Sequence, residues 1–174
     1  MRSFWYGAIN RRRPEGAESP YIYRTMGSRL GNKMETEQFE ISSERARLDV
    51  ELIHKFLVEE SYWAQTRTIE QTRTAIENSV CLGVYLGSRQ VGFARVVTDH
   101  ATFAYVGDVF VLEEFRGRGM SKRLMEAMIS HPDLQGLRRW ILATLDAHGL
   151  YEQFEFSTLR FPERWMERTA PDAY

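Results

Sequence analysis

Apolar and polar residues recur with two different periods in the first half of the chain. Gln38 to Ser42 alternates polar and apolar positions, which is typical of a short strand. Apolar residues between 52 and 57 then recur at helical spacing behind Asp49, a residue suited to capping a helix. Thr68 and Gln71 have the spacing of a capping box, so a second helix is expected to begin there. The pattern predicts one strand followed by two helices.

Three further strands are predicted in the middle of the chain. Residues 80–86 and 90–98 are rich in β-branched and aromatic side chains, and they flank Gly87-Ser88, which is typical of a hairpin turn. A third run, 102–112, follows a turn at Asp99-His100. We therefore expect three antiparallel strands in succession.

Helical spacing returns after residue 119. Apolar residues at 124, 127 and 128 predict a helix that ends near Pro132, because proline disfavours helix in the residue before it. Residues 140–144 form a continuous apolar run, which is typical of a strand buried between helices. A short helix over 147–154 and a last strand over 155–160 complete the predicted order of elements.

The composition is that of one globular domain. The chain has 174 residues, of which 43% are hydrophobic and 13% aromatic. No apolar run approaches the roughly 18 residues that a membrane span requires. The single cysteine, Cys81, lies in an apolar run and is expected to be a core residue, and the four histidines are scattered. The sequence therefore predicts neither a disulfide framework nor a zinc-type cluster.

Charge divides the chain into two unequal parts. Residues 1–33 contain seven Lys and Arg against two Asp and Glu, whereas the remainder contains sixteen against twenty-two. The acidic remainder argues against nucleic-acid binding. The first 33 residues also lack a sustained period and the apolar core of a secretory signal. We expect a basic, poorly ordered extension over 1–33, a single domain over 34–174 and a cytoplasmic protein that does not bind membranes.

A glycine-bearing turn before the helix at 120 is the strongest chemical feature. Gly117 and Gly119 permit backbone conformations that side chains forbid, and the following helix start leaves N–H groups unpaired at its positive end. Four cations surround this start: Arg116, Arg118, Lys122 and Arg123. These features predict a site for a phosphate-type anion, and an ordinary turn with a solvated basic rim is the alternative. The spacing is neither that of a Walker A loop nor that of the dinucleotide fingerprint.

Three segments around this turn carry a family resemblance. The motif residues Arg116 to Ser121, preceded by the strand Asp108-Val109-Phe110-Val111, are similar to the acyl-CoA motif Gln/Arg-x-x-Gly-x-Gly/Ala of the GNAT superfamily of N-acetyltransferases. Residues 149–156, Gly-Leu-Tyr-Glu-Gln-Phe-Glu-Phe, resemble that family's Leu-Tyr-Glu-Lys-x-Gly-Phe segment, and residues 92–95 resemble its Gly-Phe-x-Arg. Ser121 and Glu155 depart from the usual small residues. If position 155 requires a positive φ, Glu155 is strained there.

The resemblance extends over residues 38–160 and implies a fold and a cosubstrate. The fold is α/β (α+β), with a GNAT-type mixed, mostly antiparallel central sheet flanked by helices. The cosubstrate is acetyl-CoA, and no metal is implied. Its pantetheine would lie along Val109, Phe110 and Val111, and its pyrophosphate would rest on backbone N–H groups of the motif: Arg116, Gly117, Arg118, Gly119, Met120 and Ser121.

The same resemblance supplies candidate catalytic residues. Tyr151 matches the family's tyrosine near the CoA sulfur, and its phenol can protonate the departing thiolate, although a packing role is the alternative. Asp108 opens the strand beside the expected thioester, where burial would raise its pKa toward that of a useful base. A carboxylate that binds the backbone or a cationic acceptor is the alternative for Asp108. The simpler interpretation of Asp146 is a cap for the helix that follows it.

The leading hypothesis is an N-acetyltransferase that moves an acetyl group from acetyl-CoA to the primary amine of a small molecule. The resemblance places the acceptor pocket in the early region, at residues 56–63 and the loop around Arg67. A non-catalytic acyl-CoA-binding module and an unrelated phosphate-binding domain are the alternatives. A protein acceptor stays open, and a homodimer is the assembly that symmetry makes commonest.

Overall fold

The computed structural model describes residues 21–24 and 38–170. Within these residues the strands are β1 (Ile22–Arg24), β2 (Phe39–Ser42), β3 (Val80–Leu86), β4 (Arg89–Thr98), β5 (Phe103–Val111) and β6 (Arg139–Leu142). The α-helices are α1 (Val50–Glu59), α2 (Ile69–Glu77), α3 (Met120–Ile129) and α4 (His148–Tyr151). The strands form one sheet in the order β1-β2-β3-β4-β5-β6, in which only β5 and β6 are parallel. The predicted mixed, mostly antiparallel sheet is confirmed.

The first two helices begin where their capping residues predict. The Asp49 side chain accepts a hydrogen bond from the Leu52 amide at 2.9 Å. At α2 the capping box is complete, because the Thr68 hydroxyl accepts from the Gln71 amide and the Gln71 side chain accepts from the Thr68 amide. Each bond satisfies an N–H group that the first turn of a helix leaves without a partner.

Helices cover both faces of the sheet. On one face α3 buries Leu124, Met125 and Met128 in the larger part of the core, which also contains Tyr151 of α4. On the other face α1 and α2 bury a second cluster, in which the Phe56 and Phe110 rings stack with centroids 3.8 Å apart. The sheet therefore lies between two cores, and β5 contributes residues to both.

The sheet opens between its two parallel strands. β6 pairs with β5 from Phe103 as far as Val106, opposite Leu142, and the pairing ends there. β5 continues to Val111 and pairs with β4 on its other side, with a register shift between Phe93 and Arg95. Because the strands separate, the backbone of residues 107–111 has no strand beside it on this edge among the residues described.

The structure corrects the boundary expected at Met34. Ile22–Arg24 lies inside the predicted extension, yet it pairs antiparallel with β2 as the edge strand of the sheet. The Tyr21 hydroxyl lies 3.0 Å from the Ser130 hydroxyl, and the Tyr21 ring meets that of His131 edge-on at 5.0 Å. Aromatic side chains thus fasten this short segment to the end of α3. The rest of the predicted extension lies outside the described residues.

Two expectations for the last third of the chain are wrong. Residues 155–160 form no strand, because Glu155 adopts a left-handed conformation that turns the backbone after α4. The apolar run at 140–144 is not deeply buried either. It supplies β6, an edge strand whose residues Trp140 to Leu142 are of intermediate burial. An edge strand has a neighbour on one side only, which leaves such residues partly exposed.

The helices in the described part of the chain are all too short or too polar to cross a lipid bilayer.

Candidate active site

The glycine-bearing turn forms a cradle of backbone amides at the start of α3. Gly117 and Gly119 both have a φ of 75°, and Gly119 is the residue that precedes the helix. Among the residues described, the amides of Gly117, Gly119, Met120 and Ser121 have no hydrogen-bond partner. Unpaired N–H groups at the positive end of a helix dipole are suited to binding an anion.

Arg116 contributes to this turn differently from the expectation. Its amide donates to the Glu113 carbonyl at 3.0 Å, so the expectation that this N–H is free for a pyrophosphate is wrong. Its guanidinium Nε donates to the Val111 carbonyl at 3.1 Å. Arg116 therefore fastens the turn to the end of β5 and sets the position of the amides that follow.

Two more arginines border the turn around one aromatic ring. Arg118 and Arg89 place their guanidinium groups 5.3 Å and 5.1 Å from the centre of the buried Phe115 ring. Arg89 also forms an ion pair with Glu114 at 2.6 Å. A cation over an aromatic face is held by the ring quadrupole, so Arg118, one of the four cations predicted around the turn, is held against Phe115.

Tyr151 is a buried residue of α4 whose phenol keeps its proton. The residue is 9% exposed, and its ring meets Phe156 edge-on at 5.9 Å. Its hydroxyl has no hydrogen-bond partner among the described residues. Burial, with smaller effects from Tyr62, Asp146 and Tyr105, raises the pKa of Tyr151 to about 12. The side chain is therefore protonated at neutral pH, as a proton donor must be.

Asp108 is the centre of an ion-pair cluster. Its Oδ2 accepts from Arg67 Nη1 and from Arg95 Nε, both at 2.7 Å, and its Oδ1 accepts from Trp63 Nε1 at 3.2 Å. Its φ of 53° is in the left-handed region, which aspartate tolerates better than most residues, and it lies within the register shift between β4 and β5. Three hydrogen-bond donors to the Asp108 carboxylate thus stabilise the irregular part of β5 around this residue.

The expected rise in the pKa of Asp108 is wrong. Burial does raise the pKa, but the charge of Arg95 and the hydrogen bond and charge of Arg67 outweigh it, so the net pKa lies below the ordinary value. A carboxylate that binds two guanidinium groups is a weak base. The alternative expectation, a carboxylate that binds the backbone or a cationic acceptor, differs from what is observed, because the cations that Asp108 binds are two side chains of the protein itself.

Asp146 does not cap the helix that follows it. The residue preceding α4 is Ala147, and no side chain caps this helix. Asp146 is exposed, and it is the carboxylate whose charge acts on the Tyr151 hydroxyl. The capping interpretation is therefore wrong.

Tyr62 and Trp63, which lie between α1 and α2, form an aromatic wall that contacts the segment before α4. The Tyr62 and Trp63 rings meet edge-on at 4.9 Å, and the Tyr62 hydroxyl accepts from the Leu145 amide at 2.8 Å. Tyr62 is 46% exposed and Trp63 is partly buried. Of the two roles left open for this pair, core edge or substrate wall, the exposure of Tyr62 favours the wall.

Sequence reasoning found one half of the site better than the other. The strand Val109 to Val111 leads into the turn, as the motif order predicts, and Tyr151 packs in the same core as Val111. The contacts of Asp108 with Arg67 and Arg95 were missed. The sequence indicates only that Arg67 lies in a loop and that Arg95 ends the Gly-Phe-x-Arg segment. A partial signal was present, since an isolated aspartate in an apolar strand requires a partner.

Comparison with known proteins identifies the family of the chain. A family model described as Acetyltransferase (GNAT) family matches residues 49–156, more than half of the chain. A protein from Gibberella zeae that carries an acetyltransferase name is 29% identical, over 64% of this chain and 74% of its own.

Solved structures share the fold. One from Xanthomonas campestris pv. campestris, described as belonging to the GNAT family, is 51% identical with a TM-score of 0.75, over 76% of this chain and 94% of that one. Glucosamine-6-phosphate N-acetyltransferase from Arabidopsis thaliana is 18% identical with a TM-score of 0.54, over 77% and 99%, a likeness that shows the fold alone. The chain thus belongs to the acetyltransferase (GNAT) family, whose members use acetyl-CoA, and the protein is an acyltransferase.

Proposed function

We propose that this protein transfers an acetyl group from acetyl-CoA to the primary amine of a small molecule. The observation that carries the proposal is that the structure combines three features suited to this reaction. These are the unpaired edge of β5, the cradle of free amides after it, and the protonated phenol of Tyr151.

The donor would be held largely by backbone groups. The pantetheine, itself a chain of amides, would pair with the open edge of Val109, Phe110 and Val111. The pyrophosphate would bind the amides of Gly117, Gly119, Met120 and Ser121, and the side chains of Arg116 and Arg118 would border it. Backbone donors are fixed by the fold, so they lose little entropy when they bind a ligand.

The reaction requires one bond to form and one to break. The neutral amine attacks the thioester carbonyl and the new C–N bond forms, which leaves a positive charge on the nitrogen. The nitrogen then loses a proton to water, and the C–S bond breaks with release of the CoA thiolate. A backbone N–H of β5 would stabilise the charge that grows on the carbonyl oxygen. Tyr151 would give its proton to the thiolate sulfur and regain one from solvent.

The ammonium form of the acceptor must first lose a proton, and we assign this step differently from the initial expectation. Asp108 is held by Arg67 and Arg95 and has a lowered pKa, so it is a poor acceptor for that proton. Asp146 is an exposed carboxylate, and its charge contributes to the raised pKa of Tyr151. We place the ammonium group beside Asp146, which would pass the proton to water.

Release of free thiol from acetyl-CoA tests the proposal. With a panel of primary amines, we expect thiol release that requires an amine and is matched, mole for mole, by an acetylated product. Binding of CoA without thiol release from any amine would support instead the alternative of a non-catalytic acyl-CoA-binding module. A melting temperature that CoA does not raise would contradict both.

A further inference from the structure

The cluster of Arg67, Arg95 and Asp108 contains more positive than negative charge. Arg67 and Arg95 both bind Oδ2 of Asp108, so two guanidinium groups share one carboxylate. The third donor to this carboxylate, the Trp63 indole, is neutral. One positive charge of the cluster is therefore not compensated by Asp108. A partly buried charge without a counterion favours the binding of an opposite charge.

The two arginines differ in how far their donors are used. Arg95 is 12% exposed and donates to Ser79 through Nη1, at 3.2 Å, as well as to Asp108. Arg67 is 21% exposed, and its side chain donates only to Asp108 among the residues described. A guanidinium group carries five N–H donors in a planar fork, so Arg67 has several left. Arg67 is therefore the member of the pair that is available to a ligand.

Arg67 is connected to the segment that contains Asp146 through a series of contacts. It shares the Asp108 carboxylate with Trp63, whose ring packs on that of Tyr62. Tyr62 in turn binds the Leu145 amide, which immediately precedes Asp146. The acceptor side thus has a guanidinium group at one end of the aromatic wall and a carboxylate at the other. An acceptor that bridges them needs a negative group as well as an amine.

We propose that the acceptor amine also carries an anionic group, a carboxylate or a phosphate, and that the guanidinium group of Arg67 binds it. Asp108 acts as a positioning residue, because it fixes one edge of the Arg67 fork and leaves the other edge to the ligand. This inference rests on the proposed acetylation of an amine, and it adds the chemical class of the acceptor. Arginine matches planar carboxylates and phosphates through two parallel hydrogen bonds.

Matched pairs of amines test the inference. The pairs are glycine with glycinamide, β-alanine with β-alaninamide, and O-phosphoethanolamine with ethanolamine, and the measurement is kcat/KM for thiol release from acetyl-CoA. We expect the anionic member of at least one pair to be preferred tenfold or more. For the carboxylate pairs, amine basicity cannot produce this result, since the amides are the weaker bases and are neutral in a larger fraction at pH 7.

Variants of Arg67 separate its role from a general effect on the fold. Arg67→Ala should remove the preference by raising KM for the anionic member at least tenfold, a larger factor than the fall in kcat/KM for the neutral member, and the Kd for CoA reports whether the donor site is intact. Arg67→Lys, which keeps the charge but not the fork, should restore part of the preference. Arg73→Ala is the matched control, because Arg73 is an exposed arginine of α2 that pairs with Glu51.

The outcomes distinguish this inference from the function on which it rests. Thiol release from charged and neutral amines alike, with Arg67→Ala lowering both equally, would overturn the anionic acceptor and leave acetyl transfer standing. CoA binding without thiol release from any of the six amines, and with no rise in the melting temperature of the CoA complex when they are added, would overturn both. A preference that differs between the carboxylate and phosphate pairs identifies which anion is bound.

Discussion

At the scale of single residues, two buried ionisable side chains are tuned in opposite directions. Burial alone raises the pKa of both Tyr151 and Asp108. No cation of the described residues contributes to the pKa of Tyr151, which stays protonated, whereas two guanidinium groups keep Asp108 ionised. Burial therefore accompanies a neutral phenol at one position and a fixed charge at the other.

Replacing Tyr151 with phenylalanine should lower kcat at least tenfold, because the thiolate would leave without a proton donor. The Kd for CoA should change less than twofold. Since the pKa of Tyr151 is raised to about 12, the loss of its proton should not reduce the wild-type rate below about pH 11. Steady-state kinetics and CoA titration measure these quantities.

Tyr85→Phe is the matched control for this variant, because Tyr85 is a buried tyrosine of β3 whose hydroxyl has no partner among the described residues. It should retain wild-type kcat. Equal kcat values for Tyr151→Phe and the wild type would assign Tyr151 to packing.

Asp108→Asn should lower the free energy of unfolding by roughly 3 kcal/mol at pH 7, since it leaves two guanidinium groups facing each other without a counterion. Asparagine also tolerates a positive φ, so the change tests charge rather than backbone strain. Urea unfolding followed by circular dichroism gives the difference. Asp146→Asn, at an exposed position, should change stability by about 0.5 kcal/mol or less.

The stability that Asp108 provides should depend on pH in a defined direction. Its pKa is lower in the folded state, so its contribution is complete above the ordinary carboxyl pKa of about 4. The contribution is lost as the pH falls through the lower folded value. The difference in the free energy of unfolding between the wild type and Asp108→Asn should therefore become smaller below about pH 4. A difference that becomes larger there would contradict the ion-pair account.

Glu155→Gly should stabilise the protein, because Glu155 adopts a φ of 65° after α4, where glycine is not strained. The gain, up to about 1 kcal/mol, corresponds to a rise of about 2–4 °C in Tm. Glu152→Gly is the control, since Glu152 has a helical φ of −58° and glycine should lower Tm there. A Tm that falls in both variants would contradict strain at Glu155.

At the scale of elements, the sequence predicted most accurately the helices and strands that are specified by residues close together in the chain. The caps at Asp49 and Thr68 and the hairpin at Gly87 each depend on residues within four positions of one another. β1 and β6 depend on distant partners. The three residues of β1 carry no period, and the apolar run at 140–144 suggested a buried strand although its outer side has no neighbour.

A chain that begins at Met34 should fold but melt at a lower temperature than the full chain. It lacks β1, which covers the edge of β2, and the Tyr21 and Tyr23 hydroxyls that contact Ser130 and Glu126 of the α3 end. Each kcal/mol lost should lower Tm by about 2–4 °C. A chain that begins at residue 19 keeps β1 and is the control. Equal melting temperatures for the two truncated chains would show that β1 adds no stability.

At the scale of the whole molecule, the candidate site has two halves. Sequence motifs describe the donor half, whereas the acceptor half is assembled only when the chain folds. The donor half is a continuous segment, residues 109–121, so its local motif predicted it. The acceptor half brings Arg67 and Trp63 to Asp108 across 41 and 45 positions of the chain. Contacts at such separation leave little pattern in a single sequence, and this explains why the pKa of Asp108 was predicted in the wrong direction.

The central claim is that the amides after Phe115 bind the diphosphate of CoA, and amide hydrogen exchange tests it most directly. Exchange is followed by mass spectrometry with and without CoA, in peptides that cover residues 113–122. Peptides around Gly136, another glycine with a positive φ, are the internal control. The account predicts slower exchange at 117–121 when CoA is bound and no change around Gly136. Unchanged exchange at 117–121 with CoA at saturation would contradict it.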